Sequence, residues 1–119
     1  MMERVYQALE KLRVPIMCDE YELHRLVIAC LHENNLACAH EVTLAPRCRI
    51  DLMCGDVGIE IKRGKPNGQT LLGQCTRYLQ TGRLSGLIVI CERNVTLPQT
   101  IGGKEVRLLC LNRLWGIAL

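Results

Sequence analysis

Apolar positions recur along this chain with two different periods, and the two periods separate helices from strands. Val5, Leu9 and Leu12 fall on one stripe of a helix near the N-terminus. In mid-chain the apolar positions alternate with polar ones, as in Arg49-Ile50-Asp51-Leu52, which is typical of a strand. These patterns predict eight elements in the order ααβββαββ, at Glu3–Leu12, Asp19–Asn34, His40–Leu44, Cys48–Cys54, Val57–Lys62, Thr70–Thr81, Ser85–Cys91 and Glu105–Leu111.

Several element ends carry local signals. Asp19 can cap the second helix, with Glu22 three residues later as in a capping box. Gly82 follows the third helix where a left-handed residue commonly ends one. The strand 85–91 is apolar throughout, which predicts burial on both faces. Gly102-Gly103 predicts a turn before the last strand.

Length and composition favour one globular domain spanning residues 1–119. The chain is 49% apolar and 23% charged, a globular balance, and its element order predicts an α/β sandwich. It has no run of 18 apolar residues, so we expect no membrane-spanning helix. The N-terminus lacks the layout of a signal peptide. We therefore expect a cytoplasmic protein.

Eight cysteines raise the question of a disulfide or metal framework. No two of them are two to four residues apart, so there is no CxxC half-site. Most lie in apolar periodic segments, which predicts buried free thiols in a reducing compartment.

Charge is segregated along the chain. Residues 61–91 contain no Asp or Glu and have a local charge of +5, although the whole chain carries only +3. Such a distribution favours a surface for an anionic partner such as nucleic acid. A solvated basic face is the simpler alternative.

The second and third strands carry the candidate chemistry. The Gly55-Asp56 pair between them predicts a two-residue hairpin turn of type II′. In that register the numbers of facing residues sum to 111, so Asp51 faces Glu60. Lys62 lies two residues on and shares their face. Ile50, Leu52, Ile59 and Ile61 are then expected on the opposite, core face.

Two carboxylates held this close repel each other unless a cation lies between them. Hard oxygen ligands suit Mg²⁺ or Mn²⁺, and a neighbouring lysine can orient water and offset phosphate charge. Together these groups fit metal-assisted phosphodiester hydrolysis. The alternative is that Glu60 and Lys62 are ordinary exposed residues on a half-buried strand.

These residues resemble the PD-(D/E)xK nuclease superfamily. Asp51 followed by Glu60-Ile61-Lys62 is similar to its D…(D/E)xK signature, and Gln74 to Tyr78 is similar to the QxxxY motif of the RecB-type branch. The resemblance covers about residues 19–92. It implies a restriction-endonuclease-like α/β/α sandwich with a central mixed sheet, and a Mg²⁺- or Mn²⁺-dependent DNA nuclease.

The resemblance also implies roles for individual residues. Asp51 and Glu60 would hold the metal, with the Ile61 carbonyl as a further ligand, and Lys62 would activate or position water. Gln74 and Tyr78 lie on one helix face and would support that lysine. Ile50 replaces the Pro of the nominal motif, and the cysteines that bind an iron–sulfur cluster in some RecB-type members are missing.

The first core helix leaves a choice open. Many members of the superfamily use a Glu there and RecB-type members often use a His, so Glu22 and His24 are both candidates. Glu41 is a further candidate acid. The simpler interpretations are a capping box for Glu22, a solvated helix residue for His24 and a strand-edge charge for Glu41.

Basic residues flank the signature. Arg63 and Lys65 lie in a Gly/Pro loop and Arg77 lies on the QxxxY helix, so we expect the three to contact phosphates. Base readout is less expected, because the chain has one Trp, three Tyr and no Phe for stacking.

The sequence thus favours a DNA nuclease, with branched and single-stranded DNA among its candidate substrates and with repair or recombination as its setting. Holliday-junction resolvases are similar in size and layout and work as dimers, which predicts a homodimer. The apolar tail at 111–119 would form its interface or cap the core. The alternatives are a catalytically inactive nucleic-acid-binding subunit of a DNA-processing complex, and a scaffold protein.

Overall fold

The computed structural model describes residues 1–15 and 18–113, in which it has three α-helices, six β-strands and a short 3-10 helix. Positions 114–119 of the apolar tail lie outside the described residues. The elements are α1 (Met2–Leu9), α2 (Glu20–Glu33), β1 (Ala39–Ala45), β2 (Cys48–Cys54), β3 (Val57–Lys62), α3 (Gly68–Gln80), β4 (Gly86–Cys91), β5 (Thr100–Ile101), β6 (Lys104–Cys110) and the 3-10 helix Leu111–Arg113.

The strands form one mixed sheet in the order β1-β2-β3-β4-β6-β5. Strands β1, β2 and β3 are an antiparallel meander, β3, β4 and β6 run parallel, and β5 pairs antiparallel with β6. Parallel strands need a long crossover, and α3 supplies it between β3 and β4. The chain is therefore a compact α/β fold, as predicted.

The helices divide the interior into two cores, one on each side of the sheet. Helices α1 and α2 share the first core with Leu52, Ile59 and Ile61, whereas α3 shares the second core with Leu87 and Val89. Strand β4 contributes to both cores, which explains why it is buried along its whole length. The apolar run predicted this burial correctly for Gly86–Cys91, whereas Ser85 is exposed and precedes the strand.

One predicted face is wrong. Ile50 was expected to share a face with Leu52, but Ile50 packs in the α3 core and Leu52 in the α1/α2 core. Strand β2 therefore changes the side it presents at Asp51, the residue between them. Opposite this point, Glu41 of β1 has a φ of +54°, a left-handed backbone that a regular strand does not contain. Buried positions still alternate along β2, but the core that they join changes between Ile50 and Leu52.

The helix ends follow the capping signals in part. Asp19 accepts a hydrogen bond from the Glu22 amide (2.8 Å), as the N-cap prediction required. Asn67 caps α3 in the same way through the Thr70 amide (3.0 Å), a signal that the prediction of a start at residue 70 overlooked. Gly82, with a φ of +75°, follows the end of α3 as expected.

The described residues contain no helix that is both long and apolar enough to cross a membrane. All eight cysteines are free thiols, as predicted; seven are buried and Cys38 is half-buried.

Candidate active site

The β2–β3 hairpin has the predicted register over Leu52–Cys54, and the predicted pairing of Asp51 with Glu60 lies just outside the paired positions. Cys54 faces Val57 and Leu52 faces Ile59, and Gly55 has a φ of +62°, as the first central position of the predicted turn requires. The carboxylates of Asp51 and Glu60 follow directly beyond the last of these paired positions.

Here the two acids bond to the backbone of the opposite strand. The Asp51 amide donates to Glu60 Oε1 (3.2 Å), and the Ile61 amide donates to Asp51 Oδ2 (2.8 Å). Each carboxylate thus accepts a backbone N–H from the facing strand. These bonds fix both acids at the end of the hairpin pairing. Ile61 enters the site through its amide, and the metal role of its carbonyl stays a prediction.

Glu60 is the one buried charged residue among the described residues, with 4% of its surface exposed. Lys62 Nζ lies 3.3 Å from its Oε2, and Gln74 Nε2 donates to the same oxygen (3.1 Å). Burial and the nearby Asp51 charge raise the pKa of Glu60 to about 6, against the lowering effect of Lys62. A carboxylate this costly to bury is typical of a functional site.

Helix α3 connects Glu60 to the backbone of β2. Gln74 Nε2 also donates to the Tyr78 hydroxyl (2.9 Å), which in turn donates to the Arg49 carbonyl (3.2 Å). Burial, with the negative charge of Glu60, raises the pKa of Tyr78 far above its usual range, so its phenol stays neutral and keeps its proton to donate. The structure therefore brings the predicted Gln74 and Tyr78 to the predicted acid pair.

On the other side of Asp51 the structure places His24, not Glu22. His24 Nε2 lies 3.9 Å from Asp51 Oδ2 and is a buried nitrogen without a hydrogen-bond partner in the described residues. The Glu22 carboxylate instead binds Arg25 on the next turn of α2, an interaction that lowers the pKa of Glu22. Of the two candidates on this helix, His24 is therefore the one that lies beside Asp51.

A cavity of about 440 Å³ opens beside Asp51. Its lining residues are Glu20, Tyr21, His24, His40, Glu41 and Asp51. The rings of His24 and His40 meet edge to face, 5.8 Å apart. Glu41 thus lies beside the candidate site, and its carboxylate is 3.9 Å from the Arg49 guanidinium.

Sequence reasoning missed Glu20, Tyr21 and His40. No motif marks them, because their positions depend on how α2 lies against the end of β1. A histidine on the strand beside the signature strand is the one signal that could have drawn attention to His40.

The three predicted phosphate-binding residues differ in exposure and in whether another protein side chain pairs with their charge. Arg63 is paired with Glu92, so its charge is offset within the protein. Lys65 is exposed. Arg77 is exposed on α3 and donates to the Arg47 carbonyl (3.0 Å). Lys65 and Arg77 are therefore the more available of the three.

The donors at this site fit a hard divalent cation in kind. Within the described residues no three His, Cys, Asp or Glu side chains converge as a ready-made metal site. Mg²⁺, however, commonly uses one or two carboxylates and keeps several waters. The unpartnered His24 nitrogen opposite Asp51 is a buried polar atom that a cation or its bound water could satisfy. The residues thus fit a water-rich Mg²⁺ or Mn²⁺ site.

Comparisons with known proteins found no matching family profile, no matching curated protein and no matching solved structure.

Proposed function

We propose that this chain is a Mg²⁺-dependent nuclease of the PD-(D/E)xK type that hydrolyses phosphodiester bonds in DNA. The observation that carries the proposal is the buried Glu60, set against Asp51 and Lys62 and supported by Gln74. Burying an acid beside a second acid is costly to the fold, and a divalent cation bound between the two carboxylates would offset their repulsion.

The order of the elements supports the fold that this proposal requires. The acids lie on the second and third strands of a meander, and the helix after it carries Gln74 and Tyr78. Helices contribute to cores on both sides of the sheet. The restriction-endonuclease-like sandwich, with a homodimer as in resolvases, belongs to the same proposal.

Asp51 and Glu60 would hold the cation, with His24 beside Asp51 as a further candidate ligand. When bound, Mg²⁺ supplies Lewis acidity and lowers the pKa of a bound water. The protein's own groups fix the geometry: the Ile61 amide orients Asp51, and Gln74 orients Glu60. Preorganised groups of this kind need no rearrangement as charge develops on the phosphate.

Lys62 would position the attacking water and offset phosphate charge. Its Nζ is held 3.3 Å from Glu60 and its side chain is 32% exposed, so it can reach both the acid and solvent. Lys65 and Arg77 would contact flanking phosphates.

Cleavage assays with a matched lysine variant test the proposal. Labelled single-stranded, duplex and four-way-junction DNA are incubated with Mg²⁺, Mn²⁺ or EDTA, using wild type, Lys62→Ala and Lys11→Ala. Lys11 is an exposed lysine that binds Asn34, remote from Glu60 in its contacts. We expect metal-dependent cleavage by wild type and Lys11→Ala, and a loss of at least about 100-fold in Lys62→Ala, within the range for removing one catalytic group.

One observation favours the alternative of an inactive nucleic-acid-binding subunit. Both carboxylates already accept hydrogen bonds from protein groups, so the arrangement is satisfied without a metal. Salt-sensitive DNA binding without cleavage of any substrate, in either metal, would select this alternative.

A further inference from the structure

The cavity beside Asp51 has walls unlike those of a phosphate site. Three of its six lining residues are acidic, Glu20, Glu41 and Asp51, and the other three are Tyr21, His24 and His40. Carboxylates repel phosphate, but they accept hydrogen bonds from neutral N–H groups. The walls therefore suit a flat, uncharged ring with N–H donors, and the volume of about 440 Å³ lies in the range of small-ligand pockets.

Among the three tyrosines, Tyr21 has the ring that is exposed beside the cavity. Its surface is 80% exposed. By contrast, Tyr78 is buried, and Tyr6 lies under the Arg107 guanidinium, 4.9 Å from its ring centre, and donates to the Leu108 carbonyl. The Tyr21 ring adds little to the core and lines the cavity, so one face of the ring is available to a ligand there.

The cavity also adjoins the proposed reaction centre. Asp51 lines the cavity and is fixed by the Ile61 amide beside Glu60. A nucleotide with its phosphate at the acid pair would therefore have a sugar and base within reach of Tyr21.

We propose that this cavity receives one unpaired nucleobase next to the scissile phosphate, with Tyr21 stacking on its face and Glu20 or Glu41 accepting from its amino group. This inference rests on the proposed nuclease function for its position in the reaction. It narrows the substrate to single-stranded or locally unpaired DNA, because a base in a duplex is already stacked and paired and must leave the helix to enter.

Binding measured in EDTA tests the cavity separately from cleavage. A labelled single-stranded oligonucleotide and its duplex are titrated with wild type, Tyr21→Ala, Tyr21→Phe and Leu72→Ala. Leu72 is the matched control, an exposed apolar residue on α3. We expect Tyr21→Ala to weaken single-strand binding by about 5- to 150-fold, the range for one lost stack. Tyr21→Phe, which keeps the ring, should stay within about threefold, and Leu72→Ala and all duplex binding should not change.

An abasic scan then asks whether one base is coupled to Tyr21. Each position of the oligonucleotide is made abasic in turn. At one position, removing the base should weaken binding by wild type as much as Tyr21→Ala weakens binding to the intact oligonucleotide. At that same position, removing the base should not weaken binding by Tyr21→Ala any further. The inference is overturned if no position shows this coupling, or if Tyr21→Ala binds single strands as wild type does.

The two proposals fail in different ways. If binding depends on Tyr21 and on one base but the protein cleaves no substrate, the base-binding cavity is supported and the proposed nuclease function is rejected. Metal-dependent cleavage that is indifferent to Tyr21 and equal on duplex and single strands would support the nuclease and overturn the cavity.

Discussion

Burial of the Glu60 carboxylate is the feature of this site that most lowers the free energy of unfolding. This carboxylate is buried beside Asp51, and contacts with Lys62, Gln74, Tyr78 and the Asp51 amide offset part of that cost. Groups that function demands often destabilise the fold that holds them. We therefore expect that replacing Glu60 by a neutral residue makes the fold more stable while it abolishes activity.

Glu60→Gln is such a replacement. The pKa of Glu60 is about 6 in the folded protein against an ordinary 4.5. The folded state therefore holds the proton more tightly, and stability falls as the pH rises from below 4.5 to above 6. The lost free energy of unfolding is about 2 kcal/mol, from 1.36 kcal/mol per pKa unit.

Urea unfolding of wild type and Glu60→Gln between pH 4 and 8 measures this effect. The stability of Glu60→Gln relative to wild type should rise by about 2 kcal/mol across that interval, while its cleavage is abolished. A stability difference that does not vary with pH would show that Glu60 titrates normally and that its burial is not strained.

Helix α3 is the element that ties the site together, since it supplies both Gln74 and Tyr78 to the β2–β3 pair. Its N-terminus depends on the Asn67 cap, far along the helix from Tyr78. Stability and positioning can therefore be separated on one element.

Asn67→Ala and Tyr78→Phe form the matched pair. Each removes hydrogen bonds and should cost about 1 kcal/mol of unfolding free energy. Only Tyr78→Phe should slow cleavage, because it frees Gln74 from its partner and so loosens Glu60. Equal cleavage rates for the two variants, measured well below both melting temperatures, would limit Tyr78 to a structural role.

The elements also show how far sequence reasoning reaches. The bounds Cys48–Cys54 and Val57–Lys62 were predicted as found, because alternation and a two-residue turn leave little freedom. Strand β5 was missed because two residues, Thr100–Ile101, carry no periodic signal and pair only through the Gly102-Gly103 turn. Helix α1 ends at Leu9 instead of Leu12. The prediction was too long because Leu12 is apolar and buried although it lies in the turn after the helix.

The site divides in the same way. Asp51, Glu60, Lys62, Gln74 and Tyr78 come together because strand pairing and helical spacing are local rules. The choice of His24 over Glu22, and the presence of His40, depend on how α2 is oriented against the sheet. The core that Ile50 joins depends on the change of side along β2 between Ile50 and Leu52. These features depend on contacts between distant segments, so no local sequence pattern predicts them.

Across the whole molecule, the separated charges should govern how DNA approaches. The acid-free segment 61–91 carries +5, but the pairing of Arg63 with Glu92 reduces what reaches a ligand. Lys65 and Arg77 are left as the predicted phosphate contacts.

Salt dependence of binding tests those contacts. In single-strand titrations from 50 to 300 mM salt, Lys65→Gln with Arg77→Gln should reduce the slope of log K against log salt by about 1.4, at about 0.7 per lost contact. The control, Arg4→Gln with Arg13→Gln, removes the same charge from exposed positions on and after α1. Equal slopes for the two double variants would mean that net charge alone drives binding.

The central claim is that Asp51 and Glu60 act with a divalent cation to cleave DNA. It is tested most directly by single-turnover cleavage of a single-stranded oligonucleotide across a Mg²⁺ titration, with wild type and Asp51→Asn. We expect the cleavage rate of wild type to rise to saturation with Mg²⁺ and to vanish in EDTA, and the rate of Asp51→Asn to be at least about 100-fold lower at every Mg²⁺ concentration. Cleavage by Asp51→Asn at the wild-type rate, or wild-type cleavage that survives EDTA, would contradict it.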